Sequence, residues 1–263
     1  MPRFAANLTM MFTEMPFLDR FEAAAQAGFR AVEFLFPYAF PATAIGARLA
    51  ALGLEQALFN LPPGDWERGE RGLASLAGRE AEFAASLVEA RPYVEATGVK
   101  RLHLMAGHGN RADAAALRRY RDAITRAAEA FGPMGVEILL EPLNRRDMPG
   151  YMLDDYDFAA ELITGLGLPN VRLQFDLYHC QILHGDITTR LRRFLPLIGH
   201  IQVASIPSRH EPMSEELNDR FLFDELDRLG YAGFVGCEYR PRGETRAGLG
   251  WFAPYAAPGS PGA

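Results

Sequence analysis

Cysteine is nearly absent. Cys180 and Cys237 are the only two in 263 residues, too few for a disulfide framework, and neither has a CxxC partner for zinc. Both fall in strand-like runs and read as buried, reduced thiols. Positive charge is short as well, since 27 Lys and Arg against 33 Asp and Glu leave a net charge of −6. A nucleic-acid binder needs a positive field to displace counterions from phosphates, so nucleic acid is not an expected partner. The basic cluster in LRRYRDAITR sits at helical spacing and reads as a solvated helix face. No GxGxxG or GxxxxGK[ST] loop follows a strand, which removes the phosphate cradles of many open α/β sheets. No uncharged run approaches the roughly 18 residues of a membrane span. The apolar N-terminal stretch FAANLTMMF includes Asn7 and Thr9 and reaches Glu14 before any small-residue cleavage site. A cytoplasmic protein without membrane contact is the expectation.

What is present is ample core material, 49% hydrophobic residues, arranged in a repeating order. Eight short apolar, β-rich runs occur, at 4–11, 31–37, 55–63, 101–108, 136–144, 171–179, 200–207 and 234–241. Between them lie segments with helical spacing. FLDRFEAAAQAGF stops at Gly28, AIGARLAALG at Gly53 and FLFDELDRLG at Gly230. REAEFAASLVEARPYVEATG is expected to bend near Pro92. RADAAALRRYRDAITRAAEAFG, DFAAELITGLG and ITTRLRRFLPLIG complete the set, and a last helical stretch is expected around TRAGLGWF.

A β–α unit repeated eight times predicts an α/β fold, a single (β/α)8 TIM barrel over residues 1–263, with an open doubly wound sheet as the alternative. The tail from about 256 to 263, AAPGSPGA, is expected to be disordered. The Gly- and charge-rich stretch GDWERGERGLASLAGR follows the third strand and is a candidate wall or lid.

Catalytic groups in a barrel come from the C-terminal ends of strands. Glu141, Asp176 and Glu238 sit late in strands five, six and eight, and Gln202 lies earlier in strand seven. If all point inward, three carboxylates and an amide gather at one mouth. For any one of these acids an ordinary pairing with an arginine is an equal alternative; four on consecutive strands favour a metal site. Close carboxylates repel and raise one another's pKa, and a divalent cation relieves this. An all-oxygen set suits Mg²⁺ or Mn²⁺ better than Zn²⁺.

NLTMMFTEMPFLDRF, AVEFLFPY, FDLYH, GHIQ and GCEYRPRGETRAGLGWF resemble the hydroxypyruvate isomerase family of xylose-isomerase-like, divalent-metal barrels. PRFAANLTMMFTE, VEFLFPY and SRHEP are closer still to its 2-oxo-tetronate isomerase branch, and the resemblance spans nearly the whole chain. It implies that Glu141, Asp176, Gln202 and Glu238 hold one divalent cation, and that Glu141 and Glu238 are the catalytic proton donor and acceptor. It also implies that His179 binds or orients a substrate oxygen. The wider superfamily usually carries histidine at the strand-seven position; Gln202 is a harder, neutral donor that favours Mg²⁺ or Mn²⁺ and leans away from ketose epimerases.

The expected reaction moves a carbonyl between C2 and C3 of a small 3-hydroxy-2-oxo acid, hydroxypyruvate or a 2-oxo-tetronate, by proton transfer or by a hydride shift. A substrate carboxylate needs a cationic partner, for which Arg209 in SRHEP and Arg240 in CEYRP are best placed. Asn7, Asn60 and His210 are further lining candidates, as is Glu33. Trp66, Phe36 and Phe59 are candidate covers, with packing the plainer reading. His103 and His108 carry no motif; a hydrogen bond inside the barrel for His103 and a place at the pocket border for His108 are the alternatives to the plainer reading, in which neither has a functional role. The competing functions are a ketose 3-epimerase, a zinc-dependent DNA-repair nuclease, which the acidic balance opposes, and a non-catalytic metal- or metabolite-binding barrel. Association into a homo-oligomer is expected without an assignable interface.

Overall fold

The order of elements in the computed structural model, which describes residues 1–256, follows from where each apolar run stops pairing. The strands are β1 (Arg3–Asn7), β2 (Ala31–Phe34), β3 (Glu55–Asn60), β4 (Arg101–His103), β5 (Glu137–Leu140), β6 (Val171–Asp176), β7 (Ile198–Val203) and β8 (Phe234–Cys237). All neighbours pair in parallel and in sequence order, and β8 returns to β1 through registers such as Ala5 with Gly236. The sheet is a closed barrel, a single (β/α)8 fold. Strands end sooner than the apolar runs do. Pro142, for example, follows β5 after one residue and has no N–H to offer a neighbour, so Glu141 sits at the lip just outside the ladder; Glu238 likewise falls directly after the last residue of β8.

The helices are α1 (Arg20–Gln26), α2 (Ala42–Leu52), α3 (Glu80–Thr97), α4 (Ala114–Phe131), α5 (Tyr156–Leu166), α6 (Leu177–Leu183), α7 (Ile187–Phe194) and α8 (Asp219–Arg228). α3 runs as one helix through Pro92. Residues 246–251 form a 3-10 helix. The expected tail lies, apart from Ala256, outside the described residues. One boundary needs correction, because residues 177–179 are not the end of strand six. Asp176 Oδ1 accepts the Tyr178 N–H at 2.8 Å and caps α6, which starts directly on the strand. That turn carries His179 on a helix above the sheet. No described helix is long and apolar enough to cross a membrane.

Alternation along each strand separates two environments. One set, including Ala6, Val32, Leu102, Ile138, Phe175, Ile201 and Val235, joins the large apolar core with the helices. The other set faces the barrel axis. Its floor is Ala5, Ala31, Ala57 and Phe234; above it, two residues further along the strands, come Asn7, Glu33 and Gly236, and higher again Glu238. The axis is therefore greasy at one end and polar at the other.

The stretch after β3 is pinned. Arg79 grips Glu70 through two N–H···O bonds of 2.6 and 3.0 Å, Ser75 N–H donates to Ala106 at 3.0 Å, and Gly72 N–H donates to Pro63 at 2.8 Å. Gly72 has φ +118° and lies against the main chain of Met105 and Gly107, where a Cβ would overlap backbone. These contacts make a wall rather than a swinging lid. Gly72→Ala is expected to cost roughly 2 kcal/mol, lowering Tm by about 4–8 °C in a melt; an unchanged Tm would show that the wall is not held there.

Candidate active site

Three buried side chains converge at the C-terminal lip. Each of Glu141, Asp176 and His179 offers a ligand atom, and these atoms lie within 4.8 Å of one another. Glu141 Oε1 and Asp176 Oδ2 are buried without a hydrogen-bond partner. An unpartnered carboxylate oxygen out of water is costly, and two side by side fit a cation. This group could hold a metal ion; of the four expected ligands it contains Glu141 and Asp176, with His179 as its third member, and Glu238 is not part of it.

Burial first, then the charges of Glu238 and Asp176, hold the Glu141 carboxyl well above the usual carboxylate range. Burial pushes Glu238 up to about 8 and Asp176 to about 6, each eased by the Arg209 guanidinium. His103 at the end of β4 lies 3.5 Å from Glu141 Oε2 through Nδ1, and burial drives its pKa down to about 3, so it stands neutral.

Arg209 is the cation that the chain itself supplies. Its guanidinium lies 3.3 Å from Glu238 Oε2 and 3.7 Å from Asp176 Oδ2, and stacks on the Tyr178 ring at 4.8 Å. Only 13% of the side chain is exposed. The loop after β7 is shaped to aim it. Arg209 N–H donates to Ser205 O and His210 N–H to Ser205 Oγ, both at 3.1 Å, and Arg240 N–H donates to Arg209 O at 2.8 Å. Arg209 itself has φ +59°, a left-handed conformation that costs a non-glycine residue on the order of 1 kcal/mol and is held by these bonds.

His179 accepts the Asn144 main-chain N–H on Nδ1 at 3.1 Å, with the Asn144 amide nitrogen 2.8 Å from the same atom. In the neutral ring that acceptor role puts the proton on Nε2, which faces Asp176 and Arg209 at 3.7 and 3.5 Å. Neutrality is favoured, because burial and Arg209 lower its pKa well below the ordinary value. The ring is thus a donor poised for an oxygen.

Gln202 lies near the end of β7, in register with Asp176 on one side and Gly236 on the other. Its amide Nε2 donates to Glu33 at 2.9 Å and its oxygen accepts from Gln174 at 2.6 Å. Arg240 is exposed, with its main chain rather than its guanidinium at the site. His210 is half-buried and holds Arg240 O through Nδ1 at 2.7 Å. Asn7 is spent on structure, donating to Glu33 at 3.0 Å and accepting the Thr9 N–H at 3.1 Å. Asn60 is buried at the end of β3, where its main-chain oxygen accepts from the Tyr38 hydroxyl. Trp66 packs on Phe36 at 5.0 Å beneath Arg71, Phe59 is core, and His108 is exposed. The contact between His103 and Glu141 and the network around Glu33 go beyond what was expected from sequence. The signal was the two-residue spacing of Ala31 and Glu33, and of His200 and Gln202, along inward-facing columns.

Fold and site together define a class: a closed α/β barrel whose C-terminal mouth carries a buried carboxylate group able to hold a metal ion. The family model described as xylose isomerase-like TIM barrel matches residues 21–255. A protein of Cupriavidus necator named 2-oxo-tetronate isomerase is 54% identical, over 97% of this chain and 99% of its own. Escherichia coli hydroxypyruvate isomerase is 40% identical, over 97% of this chain and all of its own. A crystal structure from Brucella melitensis, described as an AP endonuclease of family 2, superposes with a TM-score of 0.95 at 48% identity, covering 98% of this chain and all of that one. The chain belongs to the xylose isomerase-like TIM-barrel family, within its group of hydroxypyruvate and 2-oxo-tetronate isomerases, and is an isomerase.

The raised carboxyls predict a pH dependence. A carboxyl with a raised folded pKa contributes stability that is complete below its unfolded pKa and is lost as pH rises through the folded one. For Asp176 and Glu238 that window runs from about pH 4 to about 8. Chelator-treated protein is expected to lose Tm across pH 5–8, by on the order of 5 °C, and Glu238→Gln to flatten the fall. Equal slopes in both proteins would contradict the assigned cause.

Proposed function

We propose that this isomerase depends on a divalent cation. It interconverts a small 3-hydroxy-2-oxo acid, hydroxypyruvate or a four-carbon 2-oxo-tetronate, with its 2-hydroxy-3-oxo isomer, by proton transfer through an enediolate. The observation that carries the reading is Arg209, a largely buried guanidinium set against the carboxylate group, so that one mouth suits both a cation and an anionic substrate. The names of the relatives from Cupriavidus necator and Escherichia coli support the reaction class.

Glu141, Asp176, Gln202 and Glu238 would hold the cation, and this oxygen set favours Mg²⁺ or Mn²⁺. When bound, such a cation polarises the substrate carbonyl and acidifies the neighbouring C–H bond. Arg209 takes the substrate carboxylate in its fork. His179, with its proton on Nε2, donates to a substrate oxygen as negative charge grows there. Glu141 and Glu238, from β5 and β8, provide the base and the acid. One takes the proton from C3 and the other delivers a proton to C2, while the O3 hydroxyl loses a proton and O2 gains one, so atoms and charge balance. Two carboxyls with raised pKa values suit this exchange near neutrality.

An uncharged ketose would leave Arg209 without its anion, which favours an acid isomerase over a 3-epimerase. A nuclease with several zinc ions needs more ligand clusters, and one such group occurs among the described residues. The acidic balance weighs against nucleic acid as the partner, and the buried Arg209 suits a free small acid instead.

Proton NMR in D₂O tests the reading, with hydroxypyruvate and a 2-oxo-tetronate offered side by side, with Mg²⁺ or Mn²⁺ and with chelator. The expected result is conversion that stops with chelator and leaves deuterium on carbon. Retention of the substrate's own hydrogen would replace proton transfer with a hydride shift, and no conversion of either acid would overturn the assignment. Arg209→Ala is expected to lower kcat/KM for the acid about 100-fold, the worth of two charge-assisted hydrogen bonds. Unaltered turnover would remove Arg209 from that role.

A further inference from the structure

Beneath the carboxylate group lies a second buried polar cluster, of which the proposed reaction uses Gln202 alone. Glu33 on β2 is 0% exposed and stands on the barrel axis. Its Oε1 accepts from Asn7 Nδ2 at 3.0 Å and from Gln202 Nε2 at 2.9 Å, and its Oε2 meets His200 Nε2 at 2.7 Å. An ionised carboxylate only accepts, so all three partners come to it through N–H. Four strands converge on this one side chain: β1, β2 and, through two residues, β7, with β8 giving way to it. Gly236 of β8 makes the room, since a Cβ there would overlap the Glu33 carboxylate.

The consequence falls on Gln202. The two ends of a glutamine amide are nearly the same size, and a half-turn about the last bond exchanges oxygen for NH₂. An oxygen can hold a cation and an NH₂ repels one. With Nε2 fixed on an acceptor-only carboxylate, the oxygen is held at the opposite end, where it accepts from Gln174 Nε2 at 2.6 Å. An amide oxygen has two lone pairs, so one is left over. His200 and Asn7 hold Glu33 in turn, which stops the carboxylate from rotating away.

We propose that Glu33, braced by His200 and Asn7 and accommodated by Gly236, is a positioning residue that fixes the Gln202 amide with its oxygen available to the cation. The inference rests on the reading of Gln202 as a ligand. It explains why a buried carboxylate is placed under three others, where its charge raises the pKa of Glu141, Asp176 and Glu238 still further. A neutral residue there would not discriminate between the two ends of the amide.

Mn²⁺ binding to the full-length chain, measured by electron paramagnetic resonance and calorimetry, separates this inference from the reading beneath it. The proteins compared are the unaltered chain, Glu33→Gln, Gln202→Ala and the double variant. Gln202→Ala is expected to weaken Mn²⁺ binding at least tenfold. Glu33→Gln is expected to weaken it by about 10–100-fold, as for other groups that orient a ligand, and to add little on the Gln202→Ala background. Gly236→Ala, which displaces the carboxylate without changing its chemistry, should weaken binding in the same direction, with melts confirming that each variant is folded. Unchanged affinity in Gln202→Ala would sink the ligand reading and this inference with it. Weakened binding in Gln202→Ala with normal binding in Glu33→Gln would overturn the inference alone. Additive losses in the double variant would also overturn it, since Glu33 would then act by some route other than Gln202.

Discussion

Mutual repulsion of carboxylates taken out of water is the constraint on which the mouth of this barrel turns. Glu141, Asp176 and Glu238 are each buried, and each is raised in pKa mainly by that burial. The chain answers part of the repulsion with one guanidinium, Arg209, and leaves an oxygen of Glu141 and one of Asp176 without a hydrogen bond. A protein seldom retains such an arrangement for stability, because removing water from ions costs more than their attraction returns unless they are fully paired. The residual demand for positive charge is what a cation and its bound acid would exploit.

Everything around the mouth can be understood as a means of keeping those groups in place. The closed barrel fixes the strand ends relative to one another. Asp176 is doubly constrained, by β6 beneath it and by its role as N-cap of α6, and the same cap sets the height of His179. Asn144, on the loop after β5, then reaches across to His179 and fixes its tautomer. The left-handed turn at Arg209 is held by Ser205 and Arg240. Along the axis, Glu33 links β1, β2 and β7 at the level where apolar floor gives way to polar mouth.

Much of this was legible in the chain. The eightfold recurrence of apolar runs and helical segments predicted the barrel, and the acids at the ends of runs five, six and eight marked the lip. Strand ends were drawn too long, because a run of apolar residues does not reveal where pairing stops; at LQFDLYH the cap formed by Asp176 turns the same residues into a helix. Loop conformation was not legible either. Arg209 and Arg240 looked equivalent as neighbours of the mouth, yet a main-chain turn sends one guanidinium inward and leaves the other exposed. The partners of His103 and Glu33 were less legible, because they depend on which strands become neighbours across the axis, a property of the closed sheet that two-residue spacing alone does not give.

The most direct measurement is anomalous X-ray diffraction from crystals of the protein grown with Mn²⁺. The prediction is one peak at the C-terminal mouth, held by oxygens of Glu141, Asp176, Gln202 and Glu238, with His179 keeping Nδ1 on Asn144 and Nε2 free for substrate. A peak ligated by the His179 ring, or no peak among these four side chains, would contradict it.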